Sequence, residues 1–227
     1  MSNTFVLIFP DIGSPGRNSD GGIFQSSEFG QAFQSDTEEK LHLPSQAELP
    51  GTNVKVPYVL VADEAFPLKH NIMRPYPGRT TPGHLSYAQQ VFNYRLSRAR
   101  RIIENAFGIL VARWRIFKHA TITHPRKMVA YTRACVILHN LLIKADQSIP
   151  ATDRVYCTPG FADGDDNNGR WRDDVENQGG SMMSPVHRTG SNNFTRTASD
   201  IRQAFCDYFV SDAGAVPWQH SRVTRGQ

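Results

Sequence analysis

From Phe92 to Phe117, apolar side chains return every three or four residues: Phe92, Leu96, Ala99, Ile103, the Ala106/Phe107 pair, Leu110, Trp114 and Phe117. That spacing fits one long helix packed along its length and excludes a strand, whose repeat is two. Ser86 stands where an N-cap is needed, and Gly108 is the one helix-weakening residue within the stripe. A mid-helix glycine costs ~1 kcal/mol relative to alanine, so the helix either bends there or lets another backbone come close.

Around this helix the chain alternates between β-like and helical patterns. Residues 5–9 form a short apolar run stopped by Pro10, and read as a buried strand. Residues 11–22 carry turn chemistry. Ser26 or Ser27 is placed to cap a short helix through Phe33, with Glu28 in its first turn. Residues 34–55 read as polar loop. Residues 56–62 are apolar on both faces and rich in β-formers, as expected of a central strand, and the run ends on Asp63. Residues 68–83, with three prolines and two glycines, read as loop.

Pro125 suits the first turn of a second long helix reaching about Lys144. Its stripe is Met128, Tyr131, Cys135, Leu138 and Leu142, widened by Ile137 and Leu141. The sequence then turns polar, and residues 146–197 are expected to be a disordered acidic linker. A short helix follows over about 199–210, with Ile201, Phe205, Tyr208 and Phe209 on one side, placed to dock on the core or on a partner. The expected organisation is therefore a domain of residues 1–145, a linker of 146–197, and a C-terminal helix and tail of 198–227. Overall the chain reads as α/β.

Composition narrows the function. The apolar share of 39% is low for a wholly globular chain of 227 residues, which fits one core plus disordered stretches. No apolar run approaches the roughly 20 residues of a membrane span, and the 5–9 run, with no basic segment ahead of it, reads as too short for a signal peptide. Cys135, Cys157 and Cys206 are odd in number and far apart, so they suggest neither a zinc module nor a disulfide framework. Charge is unevenly placed. Residues 63–145 hold 14 Lys or Arg and 3 Asp or Glu, a balance of +11 inside a chain of net charge +4. A basic block of that kind points to a polyanion, most simply nucleic acid, against the rival of a merely solvated basic face. Arg95, Arg98 and Arg101 recur at a spacing of three and line one helical face that could meet phosphates.

An ordered series of blocks gives a family resemblance. These are residues 15–24 (PGRNSDGGIF), 62–68 (ADEAFPL), 73–76 (MRPY), 92–100 (FNYRLSRAR), 103–110 (IENAFGIL), 134–140 (ACVILHN) and 214–219 (GAVPWQ). Together they resemble the endonuclease domain of PIF/Harbinger transposases and the Harbinger-derived nuclease-like proteins. The resemblance covers nearly the whole chain outside about 146–197.

The resemblance implies an RNase H-like fold, a mixed sheet flanked by helices, here partial. It also implies a DDE centre in which three acids hold two Mg²⁺ (or Mn²⁺) ions that cut DNA phosphodiester bonds. Asp63 matches the second acid and Glu104 the third, making them the expected catalytic and metal-binding residues. The family's first acid belongs to a segment upstream of the 15–24 block, and no residue here matches it. Asp11 and Asp20 lie in the wrong motif. Where the family has Glu-Arg, this chain has Glu104-Asn105.

The leading expectation is a transposase-derived DDE nuclease that lacks the first acid, with an N-terminal truncation. The alternatives are a non-catalytic module binding DNA or protein, and an incomplete gene model. The implied partners are DNA and a separate DNA-binding protein, and the implied location is the nucleus, with the cytoplasm as the alternative. Exposure of the 56–62 strand would favour aggregation of the isolated chain. The bland rivals for the two acids are a turn residue at Asp63 and an ion pair of Glu104 with Arg100 or Arg101. His84 and the His139-Asn140 pair read as structural.

Overall fold

A computed structural model describes residues 4–8, 10–14, 18–33, 43–77, 85–119, 121–164, 167–176 and 194–224. The chain divides into two units, one of residues 1–15 with 101–186 and one of residues 16–100 with 187–227. Helix α3, Tyr87–Arg113, contributes to both. The architecture is mixed α/β, with short strands and mostly helical mass.

In the 16–100/187–227 unit, α1 (Asp20–Ser26) and α2 (Glu28–Ala32) follow one another. Ser19 Oγ and Ser27 Oγ accept the Gly22 and Gly30 N–H groups as N-caps. The expected Ser27 cap is present; α1 lies inside what reads as turn chemistry, because Ser19 and Asp20 supply a cap and a first-turn acid. Strands β1 (Ala47–Glu48) and β2 (Lys55–Val56) pair antiparallel within the stretch that reads as loop. Strands β3 (Leu60–Val61) and β4 (Ile72–Met73) pair parallel, with Leu60 opposite Ile72.

The single central strand expected over 56–62 is thus two short strands in two different sheets. Pro57 stands between them and has no N–H to give to a ladder. Leu60 and Val61 are exposed rather than buried on both faces. The core of this unit joins Leu68, Met73, Tyr76, Phe92 and Leu96 to Ala198 and Cys206 of α6, Arg196–Val210. The C-terminal helix therefore docks on the core, as its apolar side predicts. A final helix, α7, spans Gln219–Thr224.

In the 1–15/101–186 unit, α4 (Pro125–Gln147) opens with Pro125 at its first turn and runs beyond the expected end. Its buried side is Cys135, Val136, His139, Ile143 and Asp146, while Tyr131, Ile137, Leu138 and Leu141 are exposed. Cys135 and Leu142 of the expected stripe pack inward, but Tyr131 and Leu138 do not, so the buried side is rotated towards Val136 and Ile143. On α3 the expected stripe does turn inward at Phe92, Leu96, Ala106 and Leu110, joined by Asn105 and Ile109, while Ile103 and Phe107 are exposed.

Residues 5–8 form no strand ladder. Side chains of α4 take part of their backbone instead. Leu7 N–H donates to Asn140 Oδ1 at 2.9 Å, and Asn140 Nδ2 donates to the Leu7 carbonyl at 2.7 Å. Asn93 treats Tyr76 in the same way in the other unit, at 2.8 and 2.9 Å. Each amide carries one donor and one acceptor side by side, so it replaces one rung of a strand partner.

The linker expected to be disordered is packed where it is described. Asp146 takes the Val155 and Cys157 N–H groups. Tyr156 and Phe161 are buried with Ile109 and Ile143, and Trp171 opens the short α5, Trp171–Glu176. The low apolar content of 146–176 misleads because its few aromatic residues all go inward. Residues 177–193 lie outside the described residues. A Cβ on Gly108 would sit 2.5 Å from the Trp171 ring, so the mid-helix glycine admits an indole and α3 continues past it unbroken.

A chain of hydrogen bonds fixes this unit. Trp114 Nε1–H donates to Tyr156 Oη at 2.9 Å, and Tyr156 lies 2.8 Å from His139 Nδ1. His139 Nε2 lies 2.7 Å from the Phe5 carbonyl, which can only accept. Nε2 therefore carries the proton, Nδ1 accepts from the tyrosine, and the imidazole is neutral. Burial pushes the Tyr156 hydroxyl up to about 12 and His139 below its ordinary 6.5. The unfolded chain thus binds a proton that the folded unit refuses. This contribution to stability is complete above pH 6.5 and is lost as pH falls below it. Urea midpoints at pH 7.5 and 5.5 (roughly one unit either side of the free imidazole) should show the lower value at acid pH. His139→Gln should flatten that difference.

Candidate functional site

Asp63 follows β3 directly, and the preceding Ala62 N–H still pairs with the Met73 carbonyl at 2.8 Å. The strand delivers the acid into a tight turn. Asp63 Oδ1 accepts the Ala65 N–H at 2.8 Å, and its carbonyl accepts the Phe66 N–H at 3.2 Å. This is the local Asx geometry that favours aspartate at turns. The other carboxylate oxygen faces Arg100 Nη2 at 3.7 Å, and the Asp63 side chain keeps 16% of its surface open.

The turn is braced from several sides within its unit. Arg74, buried, reaches the Phe66 carbonyl at 3.2 Å and the Glu64 carbonyl at 3.4 Å. Gly21 of α1 lies so close that a Cβ there would come within 2.3 Å of the Ala65 carbonyl oxygen. Phe24 stacks edge-on to Phe66 with centroids 5.5 Å apart. Neither Arg74 nor Gly21 stood out in the sequence as a site residue. The available signal was a lone arginine inside the apolar 72–76 stretch.

Glu104 sits on α3 in the other unit and is exposed, between exposed Ile103 and buried Asn105. Its charge reaches Arg172, whose guanidinium is held above its ordinary range first by its hydrogen bond to Asp163 and further by Glu104. For Asp163, burial acts to raise the carboxyl, but the hydrogen bonds from Arg172 and the Gly169 N–H outweigh it and hold the group low. Asn105 organises this loop. Its Oδ1 accepts from Asp163 N–H at 2.8 Å and Trp171 Nε1–H at 2.9 Å, and its Nδ2 donates to the Asp163 carbonyl at 3.2 Å. The residue that departs from the family's Glu-Arg pair is therefore a buried structural amide.

The three arginines read as phosphate contacts each have a protein partner. Arg95 Nη1 donates to the Gly214 carbonyl at 3.2 Å and Gln219 Oε1 at 3.3 Å, and its guanidinium lies 4.7 Å from the Phe209 ring centre. Burial, with Arg98 nearby, lowers Arg95 from its ordinary value. Arg98 lies over Trp218 at 5.5 Å and donates to Tyr94 Oη at 3.3 Å. Arg101, in the other unit, donates to the Gly164 carbonyl at 2.6 Å. His139 and Asn140 are structural, as expected, and His84 lies outside the described residues.

The oxygen donors fit what a hard divalent cation takes. Asp63 has one carboxylate oxygen outside its turn hydrogen bond, and the Glu104 side chain is exposed. Among the described residues, no three His, Cys, Asp or Glu side chains cluster as a ligand set. No described helix is long and apolar enough to cross a membrane.

Comparison with known proteins places these observations. The chain is 30% identical over 135 residues to "Protein ALP1-like" of Arabidopsis thaliana, a match spanning 58% of this chain and 30% of that relative. No solved structure matches. The family model described as DDE superfamily endonuclease matches residues 2–140, a span that holds both Asp63 and Glu104, and the chain belongs to that family.

Proposed function

We propose that this chain supplies Asp63 and Glu104 to a divalent-metal centre that cuts DNA, in a transposase-derived nuclease of the Harbinger type with an RNase H-like fold. The observation that carries the reading is the family match over 2–140 together with Asp63 at the C-terminal end of β3 in a braced turn. Mg²⁺ or Mn²⁺ held there would activate the attacking oxygen and stabilise the leaving one. The chain's own residues supply the rest. Arg74 and Gly21 hold the Asp63 turn in shape, and Arg100 neutralises the carboxylate until a cation competes for it. A third carboxylate completes the set; none of this sequence's blocks matches it. DNA is the substrate class, and the nucleus is the corresponding place of action.

Mn²⁺ binding by the 227-residue chain, followed by paramagnetic resonance, tests the assignment. Asp63→Asn and Glu104→Gln should each weaken binding by about tenfold or more, since even outer-sphere partners of a metal are worth that much. Unchanged Mn²⁺ affinity in both variants would sink it.

A second reading is a module that binds without cutting. It is favoured by the Asp63–Arg100 pair and by the engagement of Arg95, Arg98 and Arg101 with their own chain. Metal-dependent nicking of plasmid DNA, abolished by Asp63→Ala, rules that reading out.

A further inference from the structure

Helix α4 carries apolar residues on two sides. One side packs inward through Cys135, Val136, His139 and Ile143. On the opposite side Ile137 and Leu141 are 67% and 61% exposed, and Tyr131 and Leu138 lie on the same arc. At 100° per residue these four span a continuous outward stripe of about 120°. A helix apolar on both sides belongs in an interior, or against a partner.

The exposed charges that α4 itself contributes are all positive, Lys127 among them. Arg126, Arg133 and Lys144 are exposed and share one edge of it by the same helical geometry. The acid within α4, Asp146, is buried and its two oxygens are taken by the Val155 and Cys157 N–H groups. The face therefore offers an apolar strip bordered by cations that no acid of α4 offsets. A second copy laid across it about a two-fold axis would set cation against cation. Nucleic acid would satisfy the cations and leave Ile137 and Leu141 in water.

We propose that the outward face of α4 is a docking surface for a segment of another protein, an amphipathic helix with an apolar stripe and acidic flanks. Ile137 and Leu141 supply the buried centre of that contact. Arg126, Arg133 and Lys144 form its rim and select the acidic partner by charge. The proposal stands independently of the metal centre, since it uses neither Asp63 nor Glu104.

Two synthetic helical peptides of roughly 18 residues, five turns, provide the test. Both carry leucines at three- and four-residue spacing; one has glutamates on its flanks and the other lysines. Anisotropy with the full chain should show binding of the acidic peptide, weakened by salt, and little binding of the basic one. Ile137→Ser with Leu141→Ser should weaken the acidic peptide by about tenfold or more, as loss of an interface centre does. Arg133→Glu with Lys144→Glu should reverse the preference between peptides. These four positions are exposed, and circular dichroism should match the parent chain.

Equal affinity for both peptides, or indifference to both pairs of substitutions, would overturn the proposal. So would a dimer in light scattering that Ile137→Ser with Leu141→Ser abolishes, which would make the occupant a second copy. Duplex DNA binding lost in that same serine pair would overturn it in favour of nucleic acid.

Discussion

Replacing His139 with alanine should destabilise the 1–15/101–186 unit by about 3–5 kcal/mol. The imidazole is fully buried, between Tyr156 Oη at 2.8 Å and the Phe5 carbonyl at 2.7 Å. Alanine leaves the tyrosine proton and the carbonyl without partners, each costing about 1–3 kcal/mol when buried. It also leaves a ring-sized cavity, which adds about the cost of a large-to-small core change. The loss extends along the chain of bonds, because Tyr156 also accepts from Trp114. Urea unfolding followed by tryptophan fluorescence measures it, since Trp114 and Trp171 both belong to this unit. Tyr156→Phe should cost less, about 1–3 kcal/mol, because the ring still fills its space. A His139→Ala midpoint within about 0.5 kcal/mol of the parent, the scale of an ordinary surface change, would show that this network does not hold the unit together.

Asn105→Leu should cost about 2–4 kcal/mol and loosen one segment first. Leucine has nearly the same size, so no large cavity forms. What is lost is the amide that accepts from Asp163 and Trp171 and donates back to Asp163. Two N–H groups and a carbonyl, all part-buried, then lack partners, at about 1–3 kcal/mol for each that water does not reach. The segment from Tyr156 to Trp171 has little regular structure, so it depends on such side-chain anchors. Hydrogen exchange at 156–171 should rise in the variant before exchange in α4 does. Uniform loss of protection across both would show that the loop and helices open as one.

Much of the local structure was legible in the chain. The three- and four-residue spacing located α3, Pro125 located the start of α4, Ser27 and Ser86 took their caps, and the last apolar side located α6. These are properties of a few neighbouring residues, and the backbone obeys them directly. Pro57 is equally visible, but the apolar β-formers on either side of it favour one continuous strand. The packed segment after Ser148 was illegible for a different reason. Its polar composition argues for disorder, and only the positions of Tyr156, Phe161 and Trp171 against α3 and α4 reverse that.

For the candidate acids, sequence located Asp63 at a strand end and Glu104 on a helix, and the ordered blocks gave the family. It did not reveal that Arg100 faces Asp63, that Arg74 and Gly21 brace its turn, or that Asn105 is the anchor beside Glu104. Those contacts join residues from eight to 58 positions apart, where no periodicity reports them.

The sequence by itself determined the helices, their caps and the family, because periodicity, capping and ordered motifs act over short stretches. Tertiary structure alone decided how α4 turned its apolar sides. Both faces of α4 are apolar, so local pattern is nearly indifferent between them. The choice went to the face that could bury His139 and present Asn140 to the backbone of residues 5–7. It left Ile137 and Leu141 outside, and with them the surface for which a partner is proposed.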